Sequence, residues 1–367
     1  MAVSKRAKAI YNCFFDGIET AAANFITNVQ EEHYLRKYLD KSHRLTAEQK
    51  REIRKFWAPY CCVSSKWAQY YSAKNGLFDP RYIPNTICYT KIDQHFNKRK
   101  LGYGFNDKNY YSKIFDGIRQ PHVIVRKING FLLDEQYNKI SMQEAKEKIL
   151  QHIEVICKPS QESGSGRGIF FLSQSNTDMV NDFLSLREYD NYVVQELVIQ
   201  HPDLAKIHKD SLNCIRICSI LFEDGVYILS SVLRMGFGKS KVDNATAKGN
   251  SDFDGTSCGI DENGKLKKYA YGYYKGERME KHPDGVVFEG YPIPSFDKAV
   301  ALVKECHPRI PNFRLVSWDV AIDYDGNPVL IEANMRKGGI NILQFNNGPM
   351  FGDLTERVLN EVFLNKD

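Results

Sequence analysis

The chain has 367 residues, 43% hydrophobic and 26% charged, enough to bury a large core divided among about two or three lobes. Fifty Lys and Arg against 45 Asp and Glu leave a formal charge of +5 with the signs interleaved, which excludes a nucleic-acid footprint and suits small anionic substrates. No apolar run approaches the ~18 residues of a membrane span, and nine scattered cysteines without a Cys-x-x-Cys pair favour neither a disulfide framework nor a zinc site.

The first 25 residues lack an apolar signal core with a small-residue cleavage site, so a cytoplasmic location is expected. The basic runs Lys50 to Lys55 and Lys98 to Lys100 read as solvated faces. Phe25 to Leu39 has helical periodicity, and Thr46 with Gln49 forms a capping box that opens a second helix through about Trp57. A helical cap is therefore expected first, within an N-terminal region 1–104.

From His122 the texture changes. The segment HVIVRK-ING-FLLDE reads as a hairpin, Ser141 and Glu144 cap a helix, and the strand VICK ends at Lys158. A Ser/Gly loop, the strand GIFFLS, a helix near Thr177 to Leu186 and the buried strand YVVQELV follow, with a polar turn at His201 to Asp203. Beyond it lie a long hairpin, CIRICSILF-EDG-VYILSSVLRM, a helix near Phe296 to Cys306, and a last hairpin, FRLVSWDVAI-DYDG-NPVLIEAN. The pattern is α+β, with mainly antiparallel strands.

Asp325-Gly326 is a two-residue hairpin signal that sets Tyr324 opposite Asn327. Counting outward, Asp319 faces Glu332, and Asn334 points to the same face. Opposed like charges cost a few tenths to about 1 kcal/mol, so a cation should offset them, and hard oxygen donors suit Mg²⁺. The alternative is a solvent-facing polar strand face. The loop Ser163 to Gly168 follows Lys158. Glycines let backbone N–H groups approach phosphate oxygens, and the lysine supplies charge; the alternative is an ordinary flexible connection. The loop is neither a Walker A motif nor a dinucleotide fingerprint.

The series Asn106-Asp107-Lys108, ICKPSQESGSGRGI, VVQEL, WDVAI and LIEAN resembles the motif series of the ATP-grasp superfamily, in order, over roughly residues 105 to 345. The segments RMGFGKSKVDNATAKGN, CGIDENGKL and EANMRKGGINILQFNNGP are similar to its sugar-transfer-associated group. The resemblance implies an ATP-grasp fold with a central lobe, 105–194, and a C-terminal lobe, 195–367, that clasp ATP. It implies Asp319, Glu332 and Asn334 as Mg²⁺ ligands. Phosphate contacts fall to Lys158, Lys108 and the loop residues Ser165, Gly166 and Gly168, with Lys113 in reserve. Adenine falls to Gln195, Glu196 and Leu197, and ribose to Asp203.

Related ligases carry an arginine two residues before the first metal aspartate, where this chain has Ser317. Arg216 is the first candidate to replace it, and Arg234 or Arg336 could grip a substrate carboxylate; each is alternatively a structural ion-pair residue. The implied activity joins a small-molecule carboxylate, sugar-linked in a polysaccharide setting, to an amine through an acyl phosphate. A kinase, a peptide ligase and a non-catalytic nucleotide binder are the rivals. His201-Pro202 and His282-Pro283 read as turns or as acceptor-pocket residues. Cys214 and Cys218 share a strand face and read as packing. Tyr269 to Tyr274 read as packing or as a sugar-stacking platform.

Overall fold

The computed structural model describes residues 5–161, 167–241, 255–272 and 278–364. They form two compact units, Met1–His95 with Gly348–Asp367, and Phe96–Asn347.

The first unit is helical: α1 (Lys5–Tyr38), α2 (Ala47–Trp57), α3 (Ser65–Asn75), several short turns and a C-terminal helix, Thr355–Phe363. The capping box is present. Gln49 N–H donates to the Thr46 hydroxyl at 3.1 Å and the Thr46 N–H donates back to Gln49 at 2.9 Å. Trp57, Trp67, Tyr70, Tyr71 and Tyr82 are buried and give this helical unit an aromatic core. Tyr71 donates to Asn85 at 2.6 Å, and Asn85 donates to Glu31 at 2.8 Å.

The second unit holds two antiparallel sheets. The first comprises β1 (Val123–Ile128), β2 (Phe131–Leu133), β3 (Glu154–Pro159), β4 (Phe170–Ser173) and β5 (Asn191–Glu196), in the order β2-β1-β5-β3-β4. Helices α4 (Met142–Leu150) and α5 (Thr177–Ser185) bury Ala145, Ile149, Val180 and Phe183 against Val155, Cys157 and Val194 of the sheet.

The second sheet comprises β6 (Cys214–Phe222), β7 (Gly225–Met235), β8 (Thr256–Ile260), β9 (Leu266–Gly272), β10 (Arg278–Met279), β11 (Leu315–Ile322) and β12 (Pro328–Asn334), in the order β10-β9-β8-β7-β6-β11-β12. Side-chain alternation sends Ile215, Ile217, Leu233, Trp318 and Val320 into a core that includes Ala299 and Val303, from the helix Phe296–Cys306. Arg216, Arg234 and Asp319 fall on the opposite face.

Two local expectations are corrected. His201 to Asp203 is no simple turn: Pro202 occupies the first position of a helix, Pro202–Ile207, and the His201 ring accepts the Asp203 N–H at 3.2 Å. The last hairpin has a three-residue loop. Asp323 pairs with Asn327 (N···O 2.9 Å), and Gly326, at φ +80°, is the left-handed residue that such a loop requires. A bulge at Ile331 then shifts the register by one, so Asp319 nonetheless faces Glu332.

No helix among the described residues is long and apolar enough to cross a membrane.

Candidate active site

Asp319 sits mid-strand in β11, between Glu332 of β12 on one side and Arg216 of β6 on the other. Arg216 donates to both carboxylate oxygens, Nε to Oδ1 at 2.8 Å and Nη2 to Oδ2 at 2.7 Å. Arg234, from β7, donates to Oδ2 at 3.0 Å, and the Asn334 amide adds a bond at 3.3 Å. Burial by itself pushes the Asp319 carboxyl up. The guanidiniums of Arg216 and then Arg234 outweigh it and hold it at about 2.

Glu332, partly exposed, pairs with Lys108 at 2.9 Å. The two carboxylates are therefore neutralised by three of the chain's own cations, where the sequence left that task to a bound ion. Lys108 is 7% exposed, and its backbone explains why it can reach Glu332. Asp107 caps the turn Lys108–Tyr110 through the Asn109 N–H at 2.9 Å and accepts from Gln161 at 3.0 Å. The Lys108 N–H donates to the Ser160 carbonyl at 2.8 Å, two residues beyond Lys158. Tyr111 spans the edge of β12: its hydroxyl donates to the Ala333 carbonyl and accepts the Ala333 N–H, each at 3.2 Å, pinning the residue between Glu332 and Asn334.

Lys158 is buried and shares a face of β3 with Ile156, opposite the core residues Val155 and Cys157. Gln195 lies directly across from Ile156 on β5, so Gln195 and Lys158 face the same way. Glu196 points to the other face, 3.6 Å from His122 and 3.7 Å from His152. With Leu197 it lines a cavity of about 570 Å³ that also includes Arg119, Gln120 and the loop Asp323 to Asp325. The expected hinge set thus divides between two faces.

Gly168 has φ +75°, and a Cβ there would lie 2.8 Å from Pro159 and 3.0 Å from the Tyr192 hydroxyl, so its glycine has a structural cause. Ser165, Gly166, Tyr273 and Tyr274 lie outside the described residues. Asp203 is partly exposed and pairs with Lys206 at 2.7 Å. Lys113 lies over the Tyr137 ring at 3.9 Å, and Arg336 over the Tyr103 ring at 5.1 Å, each against its own aromatic partner. Tyr269 packs under Arg278, and Cys214 and Cys218 are buried.

Ser317 is also explained. A Cβ at Gly338 would lie 2.4 Å from the Ser317 hydroxyl, and one at Gly339 would lie 3.1 Å from Arg216. The Gly338-Gly339 backbone fills the space that a larger side chain at 317 would need. Arg216 reaches Asp319 from the neighbouring strand instead.

Sequence reasoning named Asp107 only as part of a motif, with no role of its own, and missed Tyr111 and Arg126. Arg126 is buried, donates to the Asn109 carbonyl and, at 2.9 Å, to Ser112, and so holds the segment that carries Lys108. A charged residue inside the apolar run HVIVRK was the available signal.

The model for the sugar-transfer associated ATP-grasp family matches residues 89–360. The chain belongs to that family. Comparison with curated proteins yields no significant match. Among solved structures, D-cycloserine synthetase shares 14% identity (TM-score 0.39, 69% of this chain, 70% of that one). The D-alanyl-alanine synthetase A of Vibrio cholerae shares 13% (0.41, 74% and 66%). The D-alanine–D-alanine ligase of Bacillus anthracis shares 17% (0.38, 70% and 67%). Matches this distant do not transfer activity or substrate to this ATP-grasp chain.

Proposed function

We propose that this ATP-grasp chain is an ADP-forming carbon–nitrogen ligase for a small-molecule carboxylate and an amine, using ATP and Mg²⁺. The observation that carries the reading is the Asp319–Glu332 pair, ringed by Arg216, Arg234 and Lys108 on one sheet face. A site of hard oxygens surrounded by fixed cations is suited to a polyphosphate and its metal.

The donor set fits Mg²⁺. Oδ1 of Asp319 accepts from Arg216 alone among the described hydrogen bonds, and Asn334 gives its amide N–H to Asp319, which turns its carbonyl oxygen elsewhere. Asp319, Glu332 and Asn334 would hold the ion, and when bound it would offset phosphate charge. Lys108 and Lys158 would neutralise the phosphates, Gln195 would meet the adenine, and Arg216 would steady the transferring phosphoryl group. A substrate carboxylate oxygen attacks the γ-phosphorus and ADP leaves. The amine nitrogen then attacks the acyl carbon, phosphate departs, and the nitrogen loses a proton. The lobes 105–194 and 195–367 would close on the nucleotide. The family's sugar-transfer association supports a sugar acid as the carboxylate, in polysaccharide assembly.

The test supplies ATP, Mg²⁺ and candidate sugar acids with hydroxylamine in place of the amine. Hydroxamate together with ADP and phosphate is expected, lost in Lys158→Ala. A stable phosphorylated alcohol would replace the reading by a kinase, and AMP with pyrophosphate would overturn it.

A further inference from the structure

Outside the carboxylate face, two buried imidazoles converge on one carboxylate. His208 ends the helix Pro202–Ile207, and its carbonyl is fixed by side-chain bonds from Gln200 at 2.9 Å and Asn213 at 2.8 Å. His282 starts a tight loop closed by its N–H to Val286 and by the Gly285 N–H to its carbonyl, both 2.8 Å. Their exposures are 1% and 0%, although imidazole is seldom wholly buried without a partner.

Each ring spends Nε2 on a main-chain carbonyl: His208 on Ser240 at 3.3 Å and His282 on Gly236 at 3.1 Å. Only an N–H can make those bonds. In neutral rings both Nδ1 atoms then carry lone pairs, and both lie near one oxygen, Asp284 Oδ2, at 3.0 and 3.7 Å. The His282 lone pair accepts the Asp284 N–H, whereas that of His208 faces the carboxylate oxygen directly, acceptor against acceptor, and calls for a positive partner between them, a proton or a metal ion. Histidine ligands of metals characteristically give the other ring N–H to a carbonyl or carboxylate, as both do here.

The three ligand atoms lie within 4.8 Å of one another. A tetrahedral ion with bonds of about 2.0–2.1 Å needs ligand separations of roughly 3.3 Å, and Asp284 Oδ2 stands 3.0 and 3.7 Å from the two Nδ1 atoms, on either side of that value. Gly236 makes the approach feasible, since a Cβ there would lie 2.8 Å from the His208 ring and 2.2 Å from the Ser211 hydroxyl. That hydroxyl is buried and has no hydrogen-bond partner among the described residues.

We propose that His208, His282 and Asp284 bind a borderline divalent cation of the Zn²⁺ class, through two Nδ1 atoms and one carboxylate oxygen, with the exposed Asp284 side left to water. Two nitrogens and one oxygen select this class over Mg²⁺. Binding replaces one bond, the Asp284 N–H to His282 Nδ1 at 3.2 Å. The chain carries its own control. His201-Pro202-Asp203 repeats the same turn, with the same 3.2 and 3.7 Å distances, on a partly exposed histidine. The turn by itself therefore needs no metal, and His208 is what makes the second copy a candidate site.

The full chain, free of any polyhistidine tag and stripped with chelator, is titrated with Zn²⁺ against a chromophoric competitor, and with Co²⁺ while following visible absorption. One equivalent with a tetrahedral Co²⁺ spectrum is expected. Affinity should fall more than about tenfold in His208→Ala and in Asp284→Asn and hold in His201→Ala. Asp284→Asn, at an exposed position, guards against a folding failure at His208. Equal affinity in wild type and Asp284→Asn, or a His208 that titrates as a free imidazolium with Zn²⁺ present, would overturn the site. ATP turnover with Mg²⁺ is measured in parallel, so failure of the ligase reading is seen separately.

Discussion

Asp319 and Arg216 stand directly opposite on β11 and β6 and share two hydrogen bonds, at 2.8 and 2.7 Å, in an almost dry setting. Such a pair gains little over an apolar alternative while whole, yet removing one member leaves a buried charge, at about 3–5 kcal/mol. Arg216→Ala should therefore cost stability and turnover together. Arg216→Lys keeps the charge but loses the fork, and should recover most stability with little activity, read by urea melts and ATP turnover.

The same pair fixes a pH dependence. The Asp319 carboxyl is held at about 2, below its ordinary 3.8, so the folded state favours its charged form. The stabilisation is complete above about pH 4 and is lost as pH falls through about 2, and the shift corresponds to roughly 2–3 kcal/mol. The stability gap between wild type and Asp319→Asn should be flat from pH 5 to 8 and narrow below pH 4. A gap that changes between pH 6 and 8 would contradict the assignment.

Glu332 carries the opposite lesson from the one its sequence suggests. Facing carboxylates predict that Glu332→Gln should keep or raise stability, but Lys108, 7% exposed and 2.9 Å away, reverses the sign. Glutamine still accepts a hydrogen bond, so a loss of about 1 kcal/mol is expected, with magnesium-dependent turnover abolished. An unchanged or higher thermal midpoint would mean the pair contributes nothing.

The facing of Asp319 and Glu332 was legible for a reason only partly correct. Asp-Gly suggested a two-residue loop, whereas the loop has three, with Gly326 left-handed; the bulge at Ile331 restores the register. Neither event leaves a separate mark in an apolar run such as NPVLIEAN. The caps at Thr46 and Ser141 were legible because they are local, closing over three residues. Arg216 was legible as a charge inside the strand CIRICSI. The Lys108–Glu332 pair was not, because it needs the backbone bond from Lys108 to Ser160 and the pinning of Ala333 by Tyr111, both long-range.

Gly168 separates a structural glycine from a permissive one. Its sequence setting suggests a loop residue whose replacement spares stability, but φ +75° and the 2.8 Å approach to Pro159 make alanine strained. Gly168→Ala should cost about 1–3 kcal/mol. Gly104, on the short helix Gly102–Phe105 with nothing within 4 Å of its Cβ position, should accept alanine with no loss or a gain of about 0.4–1 kcal/mol. Chemical denaturation of the two variants checks both signs.

The charge balance at the carboxylates predicts the order in which ligands bind. Asp319 is already matched by Arg216 and Arg234, and Glu332 by Lys108, so a lone Mg²⁺ meets carboxylates whose charge is spent. A nucleotide changes this. Its phosphates offer Lys108 and the arginines a second anionic partner, which frees carboxylate oxygens for the ion. Mg²⁺ alone, at millimolar concentration, should leave the thermal midpoint unmoved. A non-hydrolysable ATP analogue with Mg²⁺ should raise it by several degrees, since a ligand at a hundred times its Kd adds about 2.7 kcal/mol. Lys158→Ala should weaken that shift, and Asp319→Asn should abolish its dependence on Mg²⁺ while keeping part of the response to nucleotide. A full shift from Mg²⁺ alone would show that the carboxylates are not held by the three cations in solution.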